Sequence, residues 1–389
     1  MATPWQPQLA HSATAPEGLY IHVPFCFHKC HYCDFYSIVE NDADRHKRFA
    51  KRMLGEVDAL LALAAAPALS PVSIFIGGGT PTFLDCEAWH LLAEGLNSRL
   101  DRSRLTEFTI EANPETVEPE LLTLLLEVGV TRVSMGAQSF QPALLKALER
   151  WHEPASVGRA VRIAREAGIG QVNLDLIFAI PGQDMAALEA DLDAALALEP
   201  DHISYYGLTF EPNTALTRRM ELGQVQPVDE DLAAVMYERI LDRLAEAGFE
   251  HYEISNWARP GRTCRHNLIY WRNDDWLGIG PGAASHVAGQ RWKNAPHLGL
   301  YLASQHLPPM REIEAPDPAR ALGERLMMGL RLREGVARAW LDQALGADDP
   351  RRGVLEEAIM AGLIEQTKTH LRLTRRGLLL ADAILTRLV

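Results

Sequence analysis

The chain of 389 residues carries only five cysteines, and three of them crowd into one short stretch. Cys86 and Cys264 stand far from that stretch and from each other. So few thiols, odd in number, argue against a disulfide framework and for a reducing cytoplasmic setting. Long apolar runs are missing too: the longest, residues 59–69, falls well short of the roughly 20 residues that span a bilayer. Positive charge is also scarce. A net charge of -13 argues against a general nucleic-acid binder, since phosphate binding needs a basic face, although a local basic patch is compatible with it. Residues 1–17 have no positive segment leading into an apolar run and read as a mobile tail rather than a signal peptide. The length allows two or three domains.

The crowded thiols lie in Cys26-Phe27-His28-Lys29-Cys30-His31-Tyr32-Cys33. A structural zinc site wants four ligands, usually from two separated cysteine pairs, so C-x3-C-x2-C leaves one coordination position open. A cubane of four irons held by three thiolates has an iron free for an outside donor. Two plainer readings stand beside this one. His28 or His31 would complete a zinc site, or the thiols would merely fill space, which suits a His- and Lys-containing loop poorly.

From Gly18 onward, short β-rich runs alternate with helical stretches. Strands are expected at 19–23, 72–76, 105–110, 132–135, 171–178 and 202–208, with helices at 44–64, 87–100, 118–128, 156–167 and 185–198. Six strand–helix units predict an α/β fold with a parallel sheet and right-handed crossovers. Six is fewer than the eight of a closed barrel, so an open or partial barrel is expected. Polar residues recur where these strands end. The cysteine loop follows the first, and Gly77-Gly78-Gly79-Thr80-Pro81-Thr82 the second; Glu111, Gln138, Asp175 and Gly207 mark the remaining four. Ligand sites of parallel α/β sheets gather at the carboxyl ends of strands, so these residues should share one mouth.

Taken singly, each is weaker. A glycine turn between strand and helix is as often structural as ligand-binding. Glu111 would serve as a solvated strand end or as a partner for an ammonium or ribose hydroxyls. Asp175 needs a ligand or a cation, with Arg150 as a candidate, because a charge inside a doubly buried strand is costly.

The cysteine spacing after a first strand, with the glycine run after a second, resembles the radical S-adenosylmethionine superfamily over at least residues 18–208. That resemblance implies a partial (β/α)6 barrel whose Cys26, Cys30 and Cys33 hold a 4Fe-4S cluster, with S-adenosylmethionine chelating the free iron. Within the superfamily, Leu19-Tyr20-Ile21-His22-Val23-Pro24-Phe25-Cys26 resembles the opening of the oxygen-independent coproporphyrinogen III oxidase group. The likeness implies cofactor contacts at Tyr20, Tyr32, Gly78, Gly79, Thr80, Glu111, Gln138, Arg150, Asp175 and Gly207. One departure matters. The oxidases place a further cysteine two residues after the third, whereas here Cys33 is followed by Asp34 and Phe35. That pattern is similar to the haem chaperone branch, HemW, as is His266-Asn267-Leu268-Ile269-Tyr270-Trp271, which matches its H-N-x-x-Y-W motif.

An imidazole beside large rings suits a haem face and its iron, so the resemblance makes His266 the first candidate haem contact, with His251 and His286 as alternatives. Without it, a histidine packed at the lower edge of the barrel would be the better reading. Residues 249–310, rich in aromatics and glycine, are expected to cover the barrel mouth after a barrel spanning 18–248. Residues 311–389 read as helices followed by a hairpin, a winged-helix-like domain whose 13 Lys and Arg against 12 Asp and Glu favour packing over DNA binding. The functional expectation is a haem carrier with a 4Fe-4S cluster and S-adenosylmethionine, a haem-acceptor protein at a membrane or elsewhere, an electron donor, no nucleic acid, and self-association into a homodimer left open. The rival is a radical enzyme acting on a porphyrinogen; Phe35 speaks against the oxidase activity itself.

Overall fold

Strict alternation of outward apolar and inward polar or small residues shapes the main sheet. In β1 (Gly18–Val23), Leu19, Ile21 and Val23 are buried on the outer side, leaving Gly18, Tyr20 and His22 on the inner one. The same alternation continues through β2 (Ser73–Gly78), β3 (Glu107–Ala112), β4 (Arg132–Gln138), β5 (Gln171–Phe178) and β6 (His202–Gly207). All six pair in parallel in chain order. This computed structural model describes Pro7 and residues 15–389; the rest of the expected tail lies outside the described residues.

Amphipathic helices cover the outer face. They are α1 (Ala43–Ala64), α2 (Cys86–Asn97), α3 (Pro119–Val128), α4 (Pro142–Ala147), α5 (Pro154–Ala167), α6 (Met185–Ala197), α7 (Ala215–Glu221) and α8 (Glu230–Glu246). Local signals set their ends. Asp42 and Asp85 cap α1 and α2 with their carboxylates, and proline occupies the first position of α3, α4 and α5. Phe49 and Met53 of α1, Trp89 of α2 and Leu125 of α3 are fully buried, each contributing about 1.5–3 kcal/mol of transfer free energy. Helices α4 and α7 were not among the expected elements; both are short, with too few turns to display a period.

In residues 249–310, strands lengthen the sheet at both sides, while Gly280, Gly282 and Leu298 lie against His22 and Tyr36 at the mouth end of β1. β7 (Glu250–Glu253) and β8 (Asn256–Ala258) run antiparallel beside β6, while β9 (Trp276–Ile279) lies parallel to β1 and is followed by β10 (Ala284–Val287) and β11 (Gln290–Asn294). The full order is β12-β11-β10-β9-β1-β2-β3-β4-β5-β6-β8-β7, with β12 at Met310–Glu314. An open six-stranded wall leaves two edges of unpaired N–H and C=O groups, and these added strands satisfy them. Among the described residues the two ends of the sheet do not pair with each other, so the barrel is partial.

Helix α9 (Arg265–Arg272) lies across the amino ends of the strands. An alanine-like Cβ at Gly18 would stand 3.1 Å from the His266 ring, and Glu107, the first residue of β3, accepts hydrogen bonds from the Arg265 and His266 amides at 2.9 and 3.0 Å. The barrel thus has a floor opposite its mouth. Beyond the sheet, the C-terminal part runs helix (Pro318–Arg331), strand (Val336–Ala337), helices (Arg338–Ala344 and Pro350–Met360), then the hairpin Ile364–Gln366 and His370–Leu373, the order of a winged helix.

Candidate functional site

The inward residues form a polar column. From floor to mouth, Ser134 of β4 donates to Asp175 of β5 at 2.8 Å, Asn173 donates to the other Asp175 oxygen at 2.9 Å, and the Gly78 amide donates to Glu111 at 3.0 Å. Parallel register is the cause, since Glu111 lies opposite Ser134, and Gly136 opposite Asp175. Burial, and then the neighbouring Asp175 charge, push Glu111 up to about 7, against the opposing Gly78 hydrogen bond. Burial also raises Asp175, despite its hydrogen bonds from Ser134 and Asn173. Two buried carboxyls, both raised by burial and Glu111 further by the Asp175 charge, suit an ammonium or sulfonium ligand.

Backbone room for such a ligand comes from the glycine run. Gly78 has φ +109° and a Cβ there would strike the His22 ring, while a Cβ at Gly77 would meet the Glu111 carboxylate at 2.7 Å. At Gly79 the obstacle would be the Phe25 carbonyl at 2.6 Å. Glycine here is therefore required by close packing as well as by conformation. Tyr20 donates to His22 Nδ1 at 3.1 Å, and His22 Nε2 donates to the Tyr36 carbonyl at 2.8 Å. Burial lowers His22 to about 4, so the imidazole is neutral and fixed in one tautomer.

Cys26, Cys30 and Cys33 are all free thiols at the mouth. Thr80 directs its hydroxyl at Cys26 Sγ from 3.7 Å, and the Arg150 guanidinium reaches Cys30 Sγ at 3.5 Å while donating to the Gly136 carbonyl at 2.9 Å. Donors aimed at sulfur favour thiolates, the form that binds iron. Burial pushes the Cys33 thiol up to about 11 and raises Cys26, so a cluster arriving there displaces protons. Tyr32 packs on Leu144, Leu148, Ile177 and Ile180 beside this loop. Among the described residues no three His, Cys, Asp or Glu side chains close on a single metal ion, and His31 Nδ1 instead accepts from Arg219 at 3.3 Å. The donor set fits a cluster with an open iron.

The structure brings Tyr20, Gly78, Gly79, Thr80, Glu111, Arg150, Asp175 and the three cysteines to one end of the barrel. Gln138 sits there in a left-handed conformation, φ +62°, and Gly207 is exposed at the rim beside Phe178. Arg150 acts on Asp175 through its charge, which favours the carboxylate, while its guanidinium hydrogen bonds go to Cys30, Gly136 and His152 and those of Asp175 come from neutral donors. His266 lies at the floor, buried, with Nδ1 bonded to Ser73 at 2.7 Å and Nε2 to Tyr270 at 2.9 Å. Both ring nitrogens are engaged, and burial lowers its pKa to about 3. In this structure it packs in the core at the floor. His251 stacks on Trp257 and His286 packs against Trp276, each with one ring nitrogen on a backbone carbonyl at 3.3 Å.

Sequence reasoning missed three residues that hold the site. Asp191 of α6 accepts from the Phe140 amide at 2.7 Å and from Ser139 at 2.8 Å, fixing the turn that carries Gln138. Glu107 caps α9 and pairs at 3.4 Å with Arg132, which is 1% exposed. An acidic residue on the apolar face of α6 was the available signal for Asp191; Arg132 at a strand start offered none.

Domain comparison places the Radical SAM superfamily on residues 20–195 and the HemN C-terminal domain on 317–380. The haem chaperone HemW of Mycobacterium tuberculosis is 38% identical, covering 98% of this chain and 97% of its own length. The chain belongs to the HemW family. HemW of Escherichia coli K12 is 36% identical over 95% of this chain and 97% of its own, and that of Bacillus subtilis 35% over 95% and 98%. In solved structures, the Escherichia coli radical SAM enzyme coproporphyrinogen III oxidase (HemN) superposes with a TM-score of 0.84 at 20% identity, covering 98% of this chain and 92% of its own. HemW-family membership and the shared radical SAM barrel thus rest on sequence and fold independently.

Proposed function

We propose that this chain is a haem chaperone, binding haem and passing it to an acceptor protein while carrying a 4Fe-4S cluster and S-adenosylmethionine. Likeness along nearly the whole chain to proteins named haem chaperones carries the reading. Phe35, where an oxidase of the related group places a cysteine, favours it over porphyrinogen oxidation. In this reading Cys26, Cys30 and Cys33 hold the cluster, which with S-adenosylmethionine supplies one-electron chemistry. Thr80 and Arg150 hold the thiolates, and Tyr32 shields them from water. Glu111 and Asp175 offer carboxylates to the cofactor's cationic groups, the Gly77–Gly79 backbone admits it closely, and Gln138 orients it from the turn. The reading also includes a cytoplasmic setting, an electron donor for the cluster, self-association as a homodimer, and an acceptor at or near a membrane.

Anaerobic reconstitution followed by haem titration is the test. The protein should bind iron, sulfide and haem, and leave coproporphyrinogen III unconverted; stoichiometric conversion would overturn the carrier reading in favour of the oxidase. Cys30→Ala should abolish cluster iron.

A further inference from the structure

With His266 enclosed at the floor, an accessible imidazole for haem iron must come from elsewhere. A cavity of about 380 Å³ opens beside the cluster loop, lined by Phe27, His28, Cys30, Phe83, Arg150 and Trp151. A second, of about 740 Å³, lies on the other flank of Trp151 and reaches Lys146. Both fall in the size range of small-molecule sites. Between them stands an aromatic ridge: Phe27 is 58% exposed, Trp151 62%, and their centroids lie 6.0 Å apart edge to face. Large rings this exposed around one cleft mark a binding surface for an apolar plane.

His28 lies under this ridge. Its ring stacks on Trp151, centroids 4.5 Å apart and planes 22° apart, and among the described residues its Nε2 is buried with no hydrogen-bond partner. Leaving such a nitrogen unpaired is costly, and a ligand reaching it would recover that cost. Trp151 is 62% exposed, and its one hydrogen bond among the described residues is the 3.5 Å contact from its indole nitrogen to Glu149, beside its ring contacts with His28 and Phe27. Lys29, in the cluster loop, and Lys146, on the larger cavity with Arg150, Glu149 and Glu153, are exposed and without ion pairs among the described residues. A flat apolar ring with carboxylates at its edge matches this combination.

We infer that haem docks on this rim, with His28 Nε2 as an axial ligand to its iron, the ring against Phe27 and Trp151, and the propionates toward Lys146. The assignment rests on the chaperone reading and locates its cargo. His28 Nε2 gives its lone pair to the iron; nothing is oxidised or reduced.

The test titrates full-length, cluster-loaded protein with haemin under anaerobic conditions, following difference absorption, ferric haem resonance and Trp fluorescence, with iron and sulfide assayed separately. Wild type should bind with a histidine-ligated signature and quenched fluorescence. His28→Ala should lose that signature, raise Kd at least about tenfold, and regain it with added imidazole. Unchanged signature and Kd in His28→Ala would overturn the assignment while leaving the chaperone reading standing, whereas wild type that binds no haem would overturn the reading itself. Should His28→Ala lose cluster iron, Trp151→Ala decides: weakened haem binding with intact cluster supports the site, and unchanged binding removes it.

Discussion

Glu111 shows how a single residue is tuned by position. Its unfolded value is 4.5 and its folded value about 7, so between these pH values the unfolded chain sheds a proton that the folded one keeps. Stability therefore falls as pH rises through that window and stays lowered above it, by about 3 kcal/mol in the ligand-free protein. Glu111→Gln should melt higher than wild type at pH 8, with the two curves converging near pH 4.5, and should bind S-adenosylmethionine more weakly. A variant that melts lower at pH 8 would refute the account. At the floor the sign is opposite: His266→Ala strands the Ser73 and Tyr270 hydroxyls and should cost about 2–4 kcal/mol of stability in denaturant titration. Haem affinity should be unchanged in that variant; a large loss would return His266 to the haem site.

At the scale of elements, α6 and the turn after β4 act as one unit through Asp191. Removing its carboxylate leaves the Phe140 amide and Ser139 hydroxyl without their acceptor. Asp191→Ala should therefore weaken S-adenosylmethionine binding several-fold in calorimetry, without any contact to the ligand, and lower stability by about 2 kcal/mol or more; unaltered affinity would separate the turn from the site. The same scale explains what the sequence made legible. The six barrel strands and their main helices were readable because each spans enough residues to show its period and its caps, β5 at 171–178 most clearly. The cysteines, glycine run and carboxylates were readable because each follows directly on a strand. β7 through β11 were not, being three to five residues long and dependent on edges formed far away in the chain. Asp191, Glu107 and Arg132 escaped for a related reason: Arg132 bonds the Arg262 carbonyl, and Glu107 the His266 amide, contacts between residues more than a hundred positions apart.

Across the whole molecule, the winged-helix part is joined to the barrel through α9 and the floor. Arg331 stacks on Trp271 with its guanidinium carbon 4.5 Å from the ring centre and lies 3.9 Å from buried Glu253, while Arg291 pairs with Glu324 at 2.7 Å. Arg331→Ala leaves Glu253 short of its cation and should loosen this junction, seen as faster proteolysis between residues 310 and 340 with the cluster content retained. Unchanged cleavage would assign the junction's strength to apolar packing alone.

The closed floor has a kinetic consequence. With α9 across the strand starts, the route to Glu111 and Asp175 from the strand ends passes the rim, so ligands at the two depths share one approach. A ligand on the rim therefore stands in the way of one bound against Glu111 and Asp175. Protein preloaded with haem should therefore take up S-adenosylmethionine more slowly than haem-free protein in stopped-flow mixing. Equal rates would reveal a second way in.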